Sequence, residues 1–258
     1  MRSDPIDVLL IVAHPDDEVL GAGIWLNRNR GKAVHLVHAT DGSPLDMQDA
    51  IAAGFTSREA YSAARFAELA AALELAGRHD PETHTRLGIP DKEAYLNLPT
   101  LISAVDDLVQ RLRPGLVLTP AYEGGHPDHD AVAFAASVVC RRQACEHREF
   151  PLYHRGDNGR MVTSVFLRPN GEEDILTLSP EECLQKARML ACFDSQRNVL
   201  AQFEIGTERF RRAPEYDFTQ PPYSGPLLYE TWGWDISGNA WREEAAAVLA
   251  AEYEMTGR

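Results

Sequence analysis

The first half of the chain alternates short apolar runs with segments of helical periodicity, and this alternation is the strongest constraint on the fold. Residues 8–13 are an apolar run without a polar interruption, which is typical of a strand buried on both faces of a sheet. Further strand-like runs lie at 34–39 and 116–119. Helical patterns lie at 21–30, 58–76, 101–112 and 130–142. The alternation predicts an α/β fold with a Rossmann-like, mostly parallel, twisted sheet that helices cover on both faces.

The second half of the chain has a different pattern. Two strand-like segments, 161–168 and 174–178, flank a Pro-Asn-Gly sequence at 169–171 and predict a short hairpin. The sequence Ser-Pro-Glu-Glu at 179–182 predicts a capping box and a helix that runs to about residue 193. From 197 to 241 the chain is rich in Pro, Gly and aromatic residues, which indicates irregular loops.

The length of the chain, 258 residues, fits one domain. We expect a single domain over 1–258, with a core at about 6–196 and a loop-rich C-terminal extension at 197–258. The formal net charge of −14 argues against nucleic acid as a partner. The run at 8–13 is too short for a signal peptide or a membrane span. Four cysteines without a CxxC pair favour free thiols, so we expect a cytoplasmic protein without membrane insertion. A homo-oligomer stays possible on these grounds.

Two motifs rich in His and Asp follow two of the predicted strands. The sequence HPDDE at 14–18 follows the first strand, and GGHPDHD at 124–130 follows the strand at 116–119. Ligands of open α/β sheets bind at the carboxyl ends of the strands, so the two loops are expected to meet at one sheet edge. Either motif alone has an ordinary explanation, as a solvated helix start or a loop. Together they predict a site.

Imidazole and carboxylate groups are the ligands of catalytic zinc sites, which use three protein ligands. His14 and Asp17 are three residues apart and point the same way if a helix begins at Pro15. His129 can complete the set from the second loop. Asp16 is then free to take a proton from a water molecule that the metal activates. We expect a bound Zn²⁺, although Fe²⁺ or another divalent ion suits the same ligands.

The second motif also offers a group that can stabilise negative charge. His126, if held by Asp128, can be cationic or act as a hydrogen-bond donor toward a developing oxyanion. The adjacent Glu18 of the first motif is explained equally well as a cap of the first helical turn or as a contact to a metal ligand.

The paired motifs HPDDE and HPDH resemble those of the LmbE-like or PIG-L family of zinc-dependent N-deacetylases. The resemblance extends to the turn Thr-Asp-Gly at 40–42, to Arg65 and Glu68 on one helix, and to Lys186 followed by Ser-Gln at 195–196. It covers about residues 8–196. It implies that His14, Asp17 and His129 bind zinc.

The resemblance also implies roles for the remaining motif residues. Asp16 would be the general base, and His126, oriented by Asp128, would stabilise the tetrahedral oxyanion. Arg65 would reach a hydroxyl or an anionic group of the substrate, with an ion pair to Glu68 as the alternative. In the loop before HPDH, Tyr122 could donate to the oxyanion, and the alternative is an aromatic residue packed in the loop.

Three functions remain open. The first is removal of an N-acetyl or other N-acyl group from a small molecule or glycoconjugate that contains an amino sugar. The second is the same chemistry on a larger thiol-sugar or specialised-metabolite conjugate. The third is a metal-binding or sugar-binding module without catalysis, against which the intact Asp16 and His126 argue. A nicotinamide-dependent enzyme is disfavoured because Gly21-Ala22-Gly23 lacks the third glycine of that motif.

Overall fold

The computed structural model describes residues 5–78 and 80–256 and has the predicted α/β architecture. The strands are β1 Val8–Val12, β2 Val34–Pro44, β3 His84–Asp91, β4 Leu116–Pro120, β5 His147–Phe150, β6 Tyr153–Arg155, β7 Met161–Thr163, β8 Asp174–Thr177 and β9 Thr207–Arg212. The helices are α1 Asp17–Arg28, α2 Gln48–Ala52, α3 Arg58–Leu75, α4 Leu98–Leu112, α5 Pro127–Gln143, α6 Pro180–Leu190, α7 Arg197–Leu200 and α8 Gly238–Thr256.

The central sheet has the strand order β3-β2-β1-β4-β5-β9-β8. Strands β1 to β5 are parallel to one another, and β9 is antiparallel to both of its neighbours. Chain order reverses between β1 and β4, which makes their boundary a topological switch point. In open α/β sheets this is where the loops at the carboxyl ends of two strands diverge and leave a crevice. The loops that carry HPDDE and HPDH flank this crevice.

Strand β1 shows why the apolar run is continuous. Leu9 and Ile11 belong to the core on one face of the sheet, under α4 and α5. Val8, Leu10 and Val12 belong to the core on the other face, under α1, α3 and α6. Because successive strand residues point to opposite faces, both faces are dry only if every position is apolar.

The predicted hairpin between 161–168 and 174–178 is wrong. β7 pairs with β6 to form a separate two-stranded ribbon, and β8 pairs with β9 at the edge of the central sheet. A turn is present at the predicted place, where Gly171 has a φ of 76°. Local turn chemistry fixes where the chain reverses but not which strands pair, since pairing depends on the surface each strand buries.

The C-terminal region is more ordered than its composition indicated. It contributes β9 to the central sheet and the 19-residue helix α8, whose Trp241 is buried against the core under α4 and α5. The capping box at the start of α6 is confirmed, with Ser179 and Glu182 as its two members, although the helix ends at Leu190.

A buried ion pair stabilises a kink in α1. Ala22 has non-helical backbone angles, so the regular bonding of this helix is interrupted there. Lys186 Nζ donates to the carbonyl of Leu20 at 2.7 Å and to Glu208 Oε1 at 2.8 Å. The same carboxylate accepts from the amides of Ile24 and Trp25. Lys186 and Glu208 therefore satisfy backbone groups on both sides of the kink, which a straight helix would pair internally.

We expect Lys186→Met to lower the free energy of unfolding by about 3–5 kcal/mol, because it leaves the buried Glu208 carboxylate without its counter-charge. Urea denaturation monitored by circular dichroism measures the change. The matched control is Arg28→Ala, which removes the half-exposed pair between Arg28 and Glu182 that joins the same two helices. That change should lower the free energy of unfolding far less, because water screens an exposed pair. Equal losses in the two variants would contradict the role assigned to the buried pair.

Candidate active site

The loop after β1 is shaped by the Asp17 carboxylate. Its Oδ2 accepts hydrogen bonds from the amides of Ala13 and His14, at 3.1 and 2.8 Å. These bonds close the loop over the end of the strand. They occupy one oxygen of the carboxylate and hold the other, Oδ1, toward the HPDH loop at the start of α5.

Three potential metal ligands converge at this point. His129 Nε2 lies 3.1 Å from Asp17 Oδ1 and 3.2 Å from His14 Nδ1, and His14 Nδ1 lies 3.6 Å from Asp17 Oδ2. Ligands held about 2.1 Å from a tetrahedral ion lie about 3.4 Å from one another. All three side chains are buried. The spacing of these atoms therefore fits a small divalent ion, and the set is one of two in the described residues that could hold a metal.

The second set shares His14 and adds Asp91, His126 and Asp128. Asp128 is fully buried, and its two oxygens accept from the amides of Lys92 and Ala94 at 2.7 and 3.0 Å. A carboxylate whose oxygens are engaged in this way is a poorer ligand than Asp17. We infer that the carboxylates of this second set, Asp91 and Asp128, orient His14.

Asp91 fixes the tautomer of His14. Its Oδ1 lies 3.0 Å from His14 Nε2, and Asp128 Oδ2 lies 3.3 Å from the same nitrogen. Because ionised carboxylates only accept, Nε2 carries a proton, and Nδ1 is the nitrogen that faces Asp17 and His129. Burial alone would raise the pKa of Asp91, but the hydrogen bond with His14 and the charge of Arg65 hold it well below its usual range. Asp91 therefore remains a carboxylate.

Sequence reasoning missed Asp91. It ends β3, and its strand carries His, Thr and Arg in place of an apolar run, so no strand was predicted at 84–91. The signal that could have found it is its position. An aspartate that ends a strand neighbouring β2 lies at the same sheet edge as the two motifs.

Asp16 lies beside the convergence point and is held by Arg65. The guanidinium donates from Nη2 to Asp16 Oδ2 at 2.8 Å and from Nη1 to the carbonyl of Gly42 at 2.7 Å. Burial raises the pKa of Asp16 to about 7, although the charge of Arg65 opposes the rise. The ion pair of Arg65 with Glu68 that was the sequence-based alternative is wrong. Glu68 instead accepts from the amide and hydroxyl of Ser195.

Arg65 therefore acts on the site through Asp16, and its side chain also lines the cavity. The neighbouring Glu18 accepts from the amide of Asp16 at 3.3 Å and lies 3.1 Å from His38 Nε2. It is buried beneath the loop and supports the backbone that carries Asp16.

His126 is oriented by the backbone of Asp128. The amide of Asp128 donates to His126 Nδ1 at 3.2 Å, whereas the carboxylate of Asp128 is 3.9 Å from that nitrogen. Burial holds the pKa of His126 well below its usual range, so the ring is neutral. A neutral ring that accepts at Nδ1 carries its proton on Nε2. His126 is thus a neutral donor, and the Asp128 carboxylate positions the loop after β3 instead.

Tyr122 is packed away from the site. Its hydroxyl donates to the carbonyl of Gln220 at 2.9 Å. Its ring contacts those of Tyr216, Phe218 and Trp241. The expectation that Tyr122 donates to an oxyanion is not supported by this position, and the alternative of a packed loop aromatic describes it.

The site opens into a cavity of about 640 Å³. Its lining includes His14, Asp16, Asp17 and Arg65, together with residues from α2, α7 and the segment after β9. Trp232 lies in this wall with 39% of its surface exposed, and its ring packs on Trp234 at 4.8 Å between centroids. The cavity is lined by both charged and aromatic side chains, which is typical of small-molecule sites.

Residues 9–140, just over half of the chain, match the family model described as "PIG-L: GlcNAc-PI de-N-acetylase". The chain belongs to the PIG-L family. The match contains both motifs and ends inside α5. The segments that follow, including the tryptophan wall of the cavity, lie outside the matched PIG-L region.

Curated relatives support this assignment. The chain is 32% identical over 142 residues to 1D-myo-inositol 2-acetamido-2-deoxy-alpha-D-glucopyranoside deacetylase of Rhodococcus erythropolis, covering 47% of this chain and 48% of that protein. It is 32% identical over 147 residues to the probable N-acetyl-alpha-D-glucosaminyl L-malate deacetylase 2 of Bacillus subtilis, covering 55% and 63%. The match thus spans about half of the first relative and under two thirds of the second.

The fold matches that of solved deacetylases. The teicoplanin deacetylase Orf2 superposes with a TM-score of 0.61 over 83% of this chain and 100% of that one, at 17% identity. This likeness concerns the fold alone. In the described residues, no helix combines the length and the apolar character needed to cross a bilayer.

Proposed function

We propose that this chain is a metal-dependent hydrolase that removes an N-acetyl group from a small molecule containing an amino sugar. The observation that carries the proposal is the convergence of His14, Asp17 and His129 beside an open cavity, which Asp16 also lines. The names of the curated relatives, which are deacetylases of N-acetyl amino sugars, support the same chemistry.

The residues present fit a zinc ion. Two imidazole nitrogens and the two oxygens of the Asp17 carboxylate converge at 3.1–3.6 Å, and His14 is oriented by Asp91 through its other nitrogen. Such an outer carboxylate is a common feature of zinc sites. Three protein ligands leave a position for water or substrate, as in catalytic sites. When bound, Zn²⁺ supplies a Lewis acid that polarises the amide carbonyl and activates water. Fe²⁺ is the second candidate for the same ligands.

The residues around this centre have separate roles in the reaction. Asp16 is placed to take a proton from the attacking water and to return one to the leaving amine, and its raised pKa suits both roles. Arg65 holds one oxygen of Asp16, which keeps the carboxylate oriented through both steps. His126 offers Nε2–H to the carbonyl oxygen as negative charge develops there. Asp128 acts indirectly, through its amide on His126 and through its carboxylate on the loop after β3.

The test is release of primary amine, detected with fluorescamine, from a panel of N-acetylglucosaminides. Asp16→Ala protein serves as the blank. Signal above the blank that depends on an added divalent metal is the expected result. Tight substrate binding without turnover across the panel would favour the non-catalytic module instead.

A larger conjugate as the substrate is favoured by one observation. The cavity of about 640 Å³ lies near the middle of the range of about 300–1,000 Å³ for sites that hold drug-sized ligands. Its lining includes the partly exposed ring of Trp232 as well as the charged groups of the site. Amine release from a bulky glycoside, with none from free N-acetylglucosamine, would support this second candidate.

The orientation of His14 leads to a prediction about metal affinity. We expect Asp91→Ala to weaken zinc binding by about 10- to 100-fold, because His14 loses its nearer partner and its Nδ1 is less firmly aimed at the ion. Competition with a chromophoric chelator measures the affinity. Asp49→Ala is the control, since Asp49 also lines the cavity but lies outside both metal-binding sets. Unchanged affinity in Asp91→Ala would contradict the role assigned to this carboxylate.

A further inference from the structure

Tyr153, which lies in β6 within the two-stranded ribbon, occupies the wall of the cavity beside the metal-ligand cluster. Its ring lies 5.2 Å from the ring of His129 in an edge-to-face arrangement. On its other sides it contacts Phe203 at 5.7 Å and Trp232 at 6.1 Å. Aromatic contacts on several sides restrict the side chain to one orientation, so the phenol is a fixed part of the site.

The backbone of the HPDH loop is built to accept this tyrosine. A Cβ atom on Gly125 would overlap the carbonyl oxygen of Tyr153 and would lie 2.9 Å from its ring atom Cδ2. Only glycine allows this approach. Tyr153 therefore packs directly against Gly125, the residue before His126, and its ring also contacts His129.

The hydroxyl of Tyr153 is available to a substrate. Within the part of the chain that the structure describes, this hydroxyl makes no hydrogen bond, and the side chain is half-buried in the cavity wall. The Tyr122 hydroxyl, which donates to Gln220, is the contrasting case. Because a tyrosine hydroxyl ordinarily has a pKa of about 10, this group is a protonated donor at neutral pH.

We propose that Tyr153 is a catalytic residue whose hydroxyl donates a hydrogen bond to the oxyanion that forms when water adds to the substrate amide. The proposal rests on the proposed function. Tyr153 keeps its proton throughout, and the proton that water loses goes to Asp16. His126 Nε2 and the Tyr153 hydroxyl are then two donors for one oxygen. Such donors act on charge that develops during the reaction, so they lower the barrier more than they strengthen substrate binding.

Tyr153→Phe tests the proposal, because it removes one hydroxyl and keeps the ring that contacts His129, Phe203 and Trp232. We expect kcat to fall about 100- to 1,000-fold, as for the loss of one oxyanion donor. KM should change by less than about threefold, and zinc content and melting temperature should stay at wild-type values. The control is Tyr122→Phe, which removes a hydroxyl of the same kind from outside the cavity and should keep wild-type kcat.

A readout independent of turnover is the affinity for a methylphosphonamidate analogue of the substrate, which carries tetrahedral oxygens where the oxyanion forms. Tyr153→Phe should weaken its binding by a factor close to the loss in kcat/KM, and Tyr122→Phe should leave it unchanged. Wild-type kcat in Tyr153→Phe would overturn the proposal, and so would a loss of kcat that merely follows a loss of zinc. If the wild-type protein instead releases no amine from any N-acyl sugar, the proposed function is refuted.

Discussion

Replacing Asp16 with asparagine is expected to lower kcat by about 100- to 10,000-fold, the range for loss of a general base, while bound metal stays near one ion per chain. The substitution keeps the shape of the side chain and removes its capacity to accept a proton. Asparagine can still accept a hydrogen bond from Arg65, so the position of the residue should hold. Fluorescamine detection of the released amine gives kcat, and elemental analysis by mass spectrometry gives the metal content.

Asp194→Asn is the matched control for this experiment. Asp194 also lines the cavity, but it is largely exposed, and its partner is Arg197 on the surface. Asp194→Asn removes one negative charge from the lining of the cavity, as Asp16→Asn does. We expect kcat to change by less than about twofold, because water screens exposed charges. Wild-type turnover in Asp16→Asn would refute the assignment of the base. A parallel loss of metal would show that Asp16 acts in binding the ion.

The sequence could predict the convergence of the two motifs because a general rule governs it. Parallel strands end at one sheet edge, so motifs that follow β1 and β4 had to approach each other. The rule does not name the partner of each side chain. Arg65 was weighed against Glu68 because the two are neighbours on one helix, yet the buried guanidinium pairs with Asp16, 49 positions away in the chain. The spacing of residues three or four apart on a helix predicts side-chain pairs on exposed helix faces better than on buried ones.

The groups that the sequence missed belong to elements whose patterns are weak. Strand β3 alternates polar and apolar residues irregularly, so Asp91 could not be assigned to a strand end. Tyr153 lies on a three-residue strand, which is too short for periodicity to show. Of the two tyrosines near HPDH, the one closer in sequence, Tyr122, is packed in the core, and the one farther away faces the cavity. Only the tertiary packing of the ribbon distinguishes them.

Loss of the third ligand should abolish metal binding at working concentrations. Removing an outer hydrogen-bond partner of a ligand costs about 10- to 100-fold in affinity, so removing His129 itself should cost more than about 100-fold. We expect His129→Ala to bind less than a tenth of an ion per chain after dialysis and to show no turnover. Elemental analysis and the fluorescamine assay measure the two effects. His84→Ala is the control, since His84 lies on β3 outside both metal-binding sets.

A thermal readout separates loss of metal from loss of fold. An ion that binds only the folded protein raises its melting temperature, so excess chelator should lower the melting temperature of the wild type, and added Zn²⁺ should restore it. His129→Ala should melt near the chelated wild type and should respond to neither treatment. If instead it keeps the response to chelator, the ion is bound without His129. The set His14, Asp91, His126 and Asp128 would then become the better description of the metal centre.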